Sequence, residues 1–259
     1  MPPPVRNSMC TATGSLGPFT YAPNNPFSYK PGGFITGAGH GSTVQGPGDH
    51  YWHITYMAMN INIGWERRIG MFPTYFDGDG LMYSDTRFGD YPHYAPAVSG
   101  KQGEFTGWML LSYQKPVRAS SSLTDFVPEN LMDEQIKTFW VAGENNDRQW
   151  IEIDLGKPAT VKAVQVNFND YESDLYGKVP GLYHQYTISG SLDGENWELI
   201  VDRSKNTRDV PNDYMELSRP QKLRYIRYNN IHVPTPHLSI SDLRIFGNGD
   251  GKVPKQVRE

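Results

Sequence analysis

Cysteine is almost absent. Cys10 is the one cysteine among 259 residues, which excludes an intrachain disulfide and leaves no cysteine-based metal or catalytic constellation. Basic blocks are missing as well. Lys and Arg number 24 against 28 Asp and Glu, for a net charge of −4, so the electrostatic footprint of a nucleic-acid binder is not there. No apolar run approaches the roughly 20 residues of a membrane span. The opening MPPPVRNSMCTATG lacks the apolar core of a signal peptide; either the protein is cytoplasmic or the true N-terminus is missing. Helical periodicity is also scarce, and VPENLMDEQIKTFW is expected to hold a single turn.

What is plentiful points to strands. Aromatic residues make up 13% of the chain, with 16 Tyr and 6 Trp, and Gly and Pro number 26 and 20. Frequent turns with β-favouring aromatics suit many short strands. Hydrophobic residues at 37% and charged residues at 20% suit a soluble globular protein. Abundant Tyr, Trp, Asn and Asp suit a neutral, hydroxyl-rich ligand such as a sugar.

The chain reads as two halves with a seam near residues 100–118. In the first half, GDHYWHITYM, RRIGMFPTYF and LMYSDT are strand-like, and FDGDG is a turn between strands. That order reads as an antiparallel meander. In the second half, QWIEIDLG sets Ile151, Ile153 and Leu155 against Trp150, Glu152 and Asp154, a strand with one buried face. AVQVNF sets Val164, Val166 and Phe168 against Gln165 and Asn167. YTISGSLDGENWELI reads as two strands around an Asp193–Gly194 turn, and KLRYIRYNN as a further strand. In LSISDLRIFG the step from Ile240 to Leu243 shifts the register and predicts a bulge. Short strands at this spacing argue for a β-sandwich. Core packing is expected of Trp140, Trp150 and Trp197.

ASSSLTDFVPENLMDEQIKTFWVAG, RQWIEIDLG, YTISGSLDGENW, LRYIRY and ISDLRIFG, in this order, resemble the coagulation factor 5/8 type C, or discoidin-like, domain. Family 32 carbohydrate-binding modules share that fold. The resemblance implies a β-sandwich, or jelly roll, over residues 117–248, with a tail at 249–259 and ligand loops gathered at one end. Tyr176 and Tyr183 in one long insertion, and His237 in the NIHVPTPHLS loop, are the candidate ligand contacts; Tyr171, His184 and His232 lie in the same loops. Many members carry a structural calcium. The matching ligands are Asp133, the Thr138 carbonyl and Asp242, where the family often has Glu; an N-cap or turn role for Asp133 stands as the alternative.

GPFTYAPNNPF, GGFITGAGHGSTVQGPGDHYWHITY, RRIGMFPTYFDGDG and FGDYP resemble the end of a family 43 glycoside hydrolase, a five-bladed β-propeller acting on arabinose- and xylose-containing glycans. FTGWMLLSYQKPV resembles the connector that follows it. The resemblance assigns residues 1–100 to a partial propeller and 101–116 to a connector. His40 matches a histidine near the propeller axis that reaches a metal ion or its water shell. Arg67 matches a substrate-contacting arginine, with Arg68 adjacent. His50 and His53 are expected to be structural.

The fold class expected is therefore all-β, a partial propeller of closing blades followed by the discoidin-like sandwich. A propeller blade takes about 40 residues, so the closing blades alone fit. Inverting hydrolysis needs an acid and a base carboxylate about 6.5–9.5 Å apart. The family's aspartate motif is absent, and Asp49, Asp77, Asp79, Asp85 and Asp90 read as turn residues. The expectation is a carbohydrate-binding C-terminal portion of a polysaccharide-degrading enzyme, secreted or periplasmic in its full-length parent. One alternative is an active hydrolase completed by a second chain or by self-association. Another is an adhesion module for proteins or lipids.

Overall fold

The computed structural model describes residues 8–30, 33–61, 64–95, 97–173 and 181–249. They form two compact units that part between Gly107 and Trp108. Among the described residues the protein is all-β, with two short 3-10 turns and no α-helix. No described helix is long and apolar enough to cross a membrane.

In the first unit, β1 (Cys10–Ala12) and β2 (Phe19–Tyr21) form a small ribbon, and four further strands form an antiparallel sheet in sequence order. These are β3 (Thr36–Gln45), β4 (Tyr51–Ile61), β5 (Gly64–Phe76) and β6 (Met82–Ser84). The expected meander is present, and Asp77 Oδ1 closes the FDGDG turn by accepting from the Asp79 and Leu81 amides. The glycine-rich TGAGHGS run bulges. Its register against β4 slips twice, and Ala38 and His40 take φ of +83° and +54°. A Cβ on Gly41 would stand 2.4 Å from the Ile54 carbonyl oxygen, so glycine there lets β3 and β4 close up. Asp90 lies in a turn, as expected, and its carboxylate is in addition buried 3.3 Å from Lys30 Nζ. His50 and His53 are buried and hydrogen-bonded, to the Ala97 carbonyl and the Thr43 hydroxyl. Val44, Tyr56, Ile69 and Met71 of the sheet are exposed.

The second unit is one sheet wrapped around one core. Its strands are β7 (Met109–Leu110), β8 (Val117–Ala119), β9 (Trp140–Val141), β10 (Trp150–Phe168), β11 (Gln185–Ser191), β12 (Glu198–Asp202), β13 (Asn212–His232) and β14 (Ser239–Asn248). The order is β12-β11-β13-β10-β14-β7, with β8 added on β10 and β9 on β14. QWIEIDLG and AVQVNF are two stretches of the single strand β10. Its register against β13 slips between Asp154 and Ala159 and again between Val161 and Ala163. Gly156, at φ +83°, sits at the first slip. The first stretch pairs with β8 and the end of β13, the second with the start of β13 and with β14. Ile151, Ile153 and Leu155 from one stretch and Val164, Val166 and Phe168 from the other join a single core around the wholly buried Trp140. The bulge expected near Ile240 is present, between the Asn167–Asp242 and Phe168–Ile240 pairs.

Trp150 and Trp197 differ from the expectation. Both are half-buried and lie outside the core cluster. Trp150 lies 5.8 Å from the Arg118 guanidinium and 5.4 Å from that of Arg227, which also covers Trp197 at 4.3 Å. Glu152 accepts from both arginines, at 2.8 Å from Arg118 Nε and 3.0 Å from Arg227 Nε. The outer face of this sheet is thus layered with charge and rings, which the alternating pattern alone presents only as polar.

A buried pair ties the 3-10 turn (Pro128–Met132) region to β14. Arg244 Nε and Nη2 donate to the two oxygens of Glu134 at 2.8 and 2.9 Å, and Nη1 donates to Gln165. Both charged side chains are nearly inaccessible. Removing one partner strands the other, at a cost of about 3–5 kcal/mol. Arg244→Ala is therefore expected to lower the unfolding free energy by about that much, against about 0–1 kcal/mol for exposed Arg118→Ala. Denaturant titration checks the contrast, and equal losses would contradict it.

His184 supplies a pH signature. Its ring lies flat on Phe168 at 3.7 Å, and burial, with a lesser push from His232, pulls its pKa from 6.5 down to about 4. The folded state keeps this imidazole neutral where the unfolded chain takes up a proton. Its contribution is complete above the unfolded value and drains away as pH falls from 6.5 toward 4, reaching roughly 3 kcal/mol. His184→Phe is expected to flatten the fall in unfolding free energy across that window. An unchanged slope would exclude His184 as its source.

Candidate binding site at the loop end of the second unit

Loops converge where β10 begins and where it ends, and side-chain amides, those of Gln149 and Asn230 buried, hold them together. Gln149 Oε1 accepts from the Ser120 and Ser121 hydroxyls at 2.6 and 2.5 Å, and its Nε2 donates to Asn146 Oδ1 at 3.0 Å. Asn230 Nδ2 donates to the Asn146 carbonyl at 2.9 Å. Asn145 Nδ2 donates to the Thr235 carbonyl at 2.9 Å. Trp140 Nε1 donates to the Ser122 hydroxyl at 2.8 Å. The serines of ASSS thus serve as pins: each of these polar groups is satisfied within the frame, which fixes the loops relative to one another.

Four rings stand on this frame. Phe126 precedes the 3-10 turn, Phe139 precedes β9, Tyr171 follows β10, and His237 precedes β14. Phe126 lies 4.9 Å from Phe139 and 4.7 Å from Tyr171, and Tyr171 lies 5.3 Å from His237. All four are half-buried. Backbone bonds fix two of them, since the Tyr171 amide donates to Ser239 Oγ and Thr235 Oγ1 donates to the His237 carbonyl. His237 Nε2 is 3.2 Å from the exposed Glu172 carboxylate. That carboxylate also holds the neighbouring Tyr171 phenol above its usual pKa. The arrangement offers flat apolar surface beside an imidazole, a carboxylate and a phenol. Such surface can stack on the C–H face of a sugar while the polar groups engage hydroxyls.

Of the residues singled out from the sequence, Tyr171 and His237 come together here. Tyr183 instead packs on His232 at 4.7 Å, and Tyr176 lies outside the described residues. Phe126, Phe139 and Glu172 were not anticipated. Their signal is weak in the sequence: two phenylalanines near strand ends read as core, and Glu172 as one more loop charge.

The residues tied to a metal by resemblance fall in two places. Asp133 is half-buried; its Oδ1 accepts from the Gln135 amide and its Oδ2 from the Thr138 hydroxyl at 2.6 Å. Burial nevertheless raises its pKa. Asp242 is wholly buried on β14, the strand against which the Pro128–Met132 turn and β9 pack. In the first unit, His40 is exposed and stacks on Tyr56 at 5.6 Å, and the Arg67 guanidinium lies 5.7 Å from the same ring. The two residues carried over from the hydrolase family thus share one tyrosine. Among the described residues, no three His, Cys, Asp or Glu side chains are grouped to hold a metal ion. A cation near Asp133 or Asp242 would therefore draw on amide and main-chain oxygens as well, which suits calcium better than a transition metal.

Comparison with known proteins finds similarity over the second unit. The model of the F5/8 type C domain matches residues 116–241. A search of curated proteins gave no match. Among solved structures, chitosan-binding module 1 of a chitosanase/glucanase from Paenibacillus sp. IK-5 is 26% identical, with 53% of this chain and 98% of that one covered and a TM-score of 0.45. The family 32 carbohydrate-binding module of NanJ from Clostridium perfringens, solved with galactose, is 16% identical, with 54% and 98% covered and a TM-score of 0.44. Over residues 116–241 the second unit is thus similar to the F5/8 type C domain.

Proposed function

We propose that this domain binds carbohydrate through the loop end, with Tyr171 and His237 as the central contacts. The observation that carries the reading is the half-buried group of Phe126, Phe139, Tyr171 and His237 standing on a pinned frame beside Glu172. The rings would meet the sugar face, and Glu172 with His237 would read hydroxyl positions. The F5/8 type C match supports a ligand-binding role for these loops. Such a module for polymeric glycans serves outside the cytoplasm, which fits a secreted or periplasmic parent.

The first unit is read as closing strands of a family 43 propeller that lack the catalytic carboxylates, with arabinose- and xylose-containing glycans as the ligand class. The sequential four-stranded sheet β3 to β6 supports this, because a propeller blade is built from four strands. The exposed Val44, Tyr56, Ile69 and Met71 favour a second reading, in which another chain covers that face and completes an active hydrolase. We also assign a calcium ion to the Asp133, Thr138 and Asp242 corner, held by two carboxylates and main-chain oxygens. There it would brace the loop carrying Phe139 against β14.

Glycan arrays followed by calorimetry test the first reading. Arabinan or xylan oligosaccharides are expected to bind the whole chain, and Tyr171→Ala and His237→Ala to weaken binding by about tenfold or more each. Binding to liposomes with no glycan retained would identify a lipid-adhesion module instead. Purified chain is expected to leave aryl arabinosides and xylosides uncleaved. Turnover that disappears in Arg67→Ala would establish the completed hydrolase.

A further inference from the structure

The end of β10 holds a polar side chain whose burial the domain's own groups do not explain. Asn167 is 1% exposed, yet neither its Oδ1 nor its Nδ2 has a hydrogen-bond partner among the described residues. Leaving such groups unmet costs about 1–3 kcal/mol each, so a natural sequence is expected to place something there. Directly across the ladder Asn167 faces Asp242 of β14. Residues paired in an antiparallel ladder project from the same side of the sheet. Their neighbours Val166 and Leu243 point into the core, so Asn167 and Asp242 project together from the other side. That side is not open to solvent, because Asp242 is wholly buried there and Arg244, two residues on, is engaged with Glu134 and Gln165.

We infer that Asn167 is a calcium ligand, supplying its amide oxygen beside the Asp242 carboxylate. The inference rests on the calcium reading above and adds a residue to it. Asn167 Oδ1 and a carboxylate oxygen are the hard, uncharged-plus-charged donor pair that calcium takes, commonly with main-chain carbonyls filling the remaining positions. The strand pairing also addresses the shortness of Asp242, which has one methylene less than the glutamate expected there. An oxygen projected from the neighbouring strand supplies a ligand without requiring a longer side chain on β14. Of the two unmet atoms of this carboxamide, the oxygen is the one a cation would satisfy.

The test is calcium titration of the whole chain after stripping with a chelator, by calorimetry and by melting temperature with and without calcium. Wild type is expected to bind calcium and to melt higher with it. Asn167→Ala is expected to weaken calcium binding by about tenfold, the equivalent of about 1.4 kcal/mol, and to lose most of the calcium-dependent rise. Asn167→Asp places a second carboxylate opposite Asp242. It is expected to melt lower than wild type in chelator and to bind calcium more tightly, a readout that survives if the alanine variant does not fold. Wild-type affinity in both variants would overturn the role of Asn167 while leaving the calcium reading intact. No calcium binding by wild type would overturn both, and a buried water would then be the occupant. Glycan binding in chelator is measured separately and bears on the carbohydrate reading alone.

Discussion

Two strands, β10 and β13, belong to both faces of the second unit at once, and the rest of that unit follows from this. A sheet that folds over its own core through bent, shared strands has to break register where it turns. The slips in β10 beside Gly156 and at Val161 meet that need. Because β10 goes out along one face and comes back along the other, its first and last residues finish near each other. The loops before Trp150 and after Phe168 are thereby gathered without any long connection. The gathered loop end is a by-product of how the core is enclosed.

The polar groups at that end divide the labour. Gln149, Asn146, Asn230 and the serines at 120 and 121 spend their hydrogen bonds on one another and on the backbone. Phe126, Phe139, Tyr171 and His237 keep part of their surface exposed. A rigid frame beneath a partly open set of rings lowers the ordering cost of binding, because few side chains have to be immobilised when a ligand arrives.

Much of this could be read from the sequence, and the failures have physical causes. The alternation in QWIEIDLG marks the buried face correctly because half-buried strands obey a period of two. The step after Ile240 marks its bulge for the same reason. That QWIEIDLG and AVQVNF are one strand was not legible, since a bend at a glycine looks like a loop. The placement of Trp150 and Trp197 outside the core was missed because ring burial by arginine from neighbouring strands leaves no trace along one strand. Asn167 reads as a solvent-facing residue, because alternation says which side a residue faces and not what covers that side. At the loop end, His237 and Tyr171 are visible as loop aromatics, whereas their meeting depends on contacts between residues far apart in the chain.

The pinned frame has a consequence for how such a domain can change. Gln149 and Asn146 sit in one loop but fix its neighbours, so variation there would disturb several loops at once. The stretch around Tyr171 and the turn carrying His237 lie on the margin of this network. New ligand preferences can therefore arise by exchanging the marginal loops while the amide lattice stays untouched, much as tool heads are changed on a fixed handle.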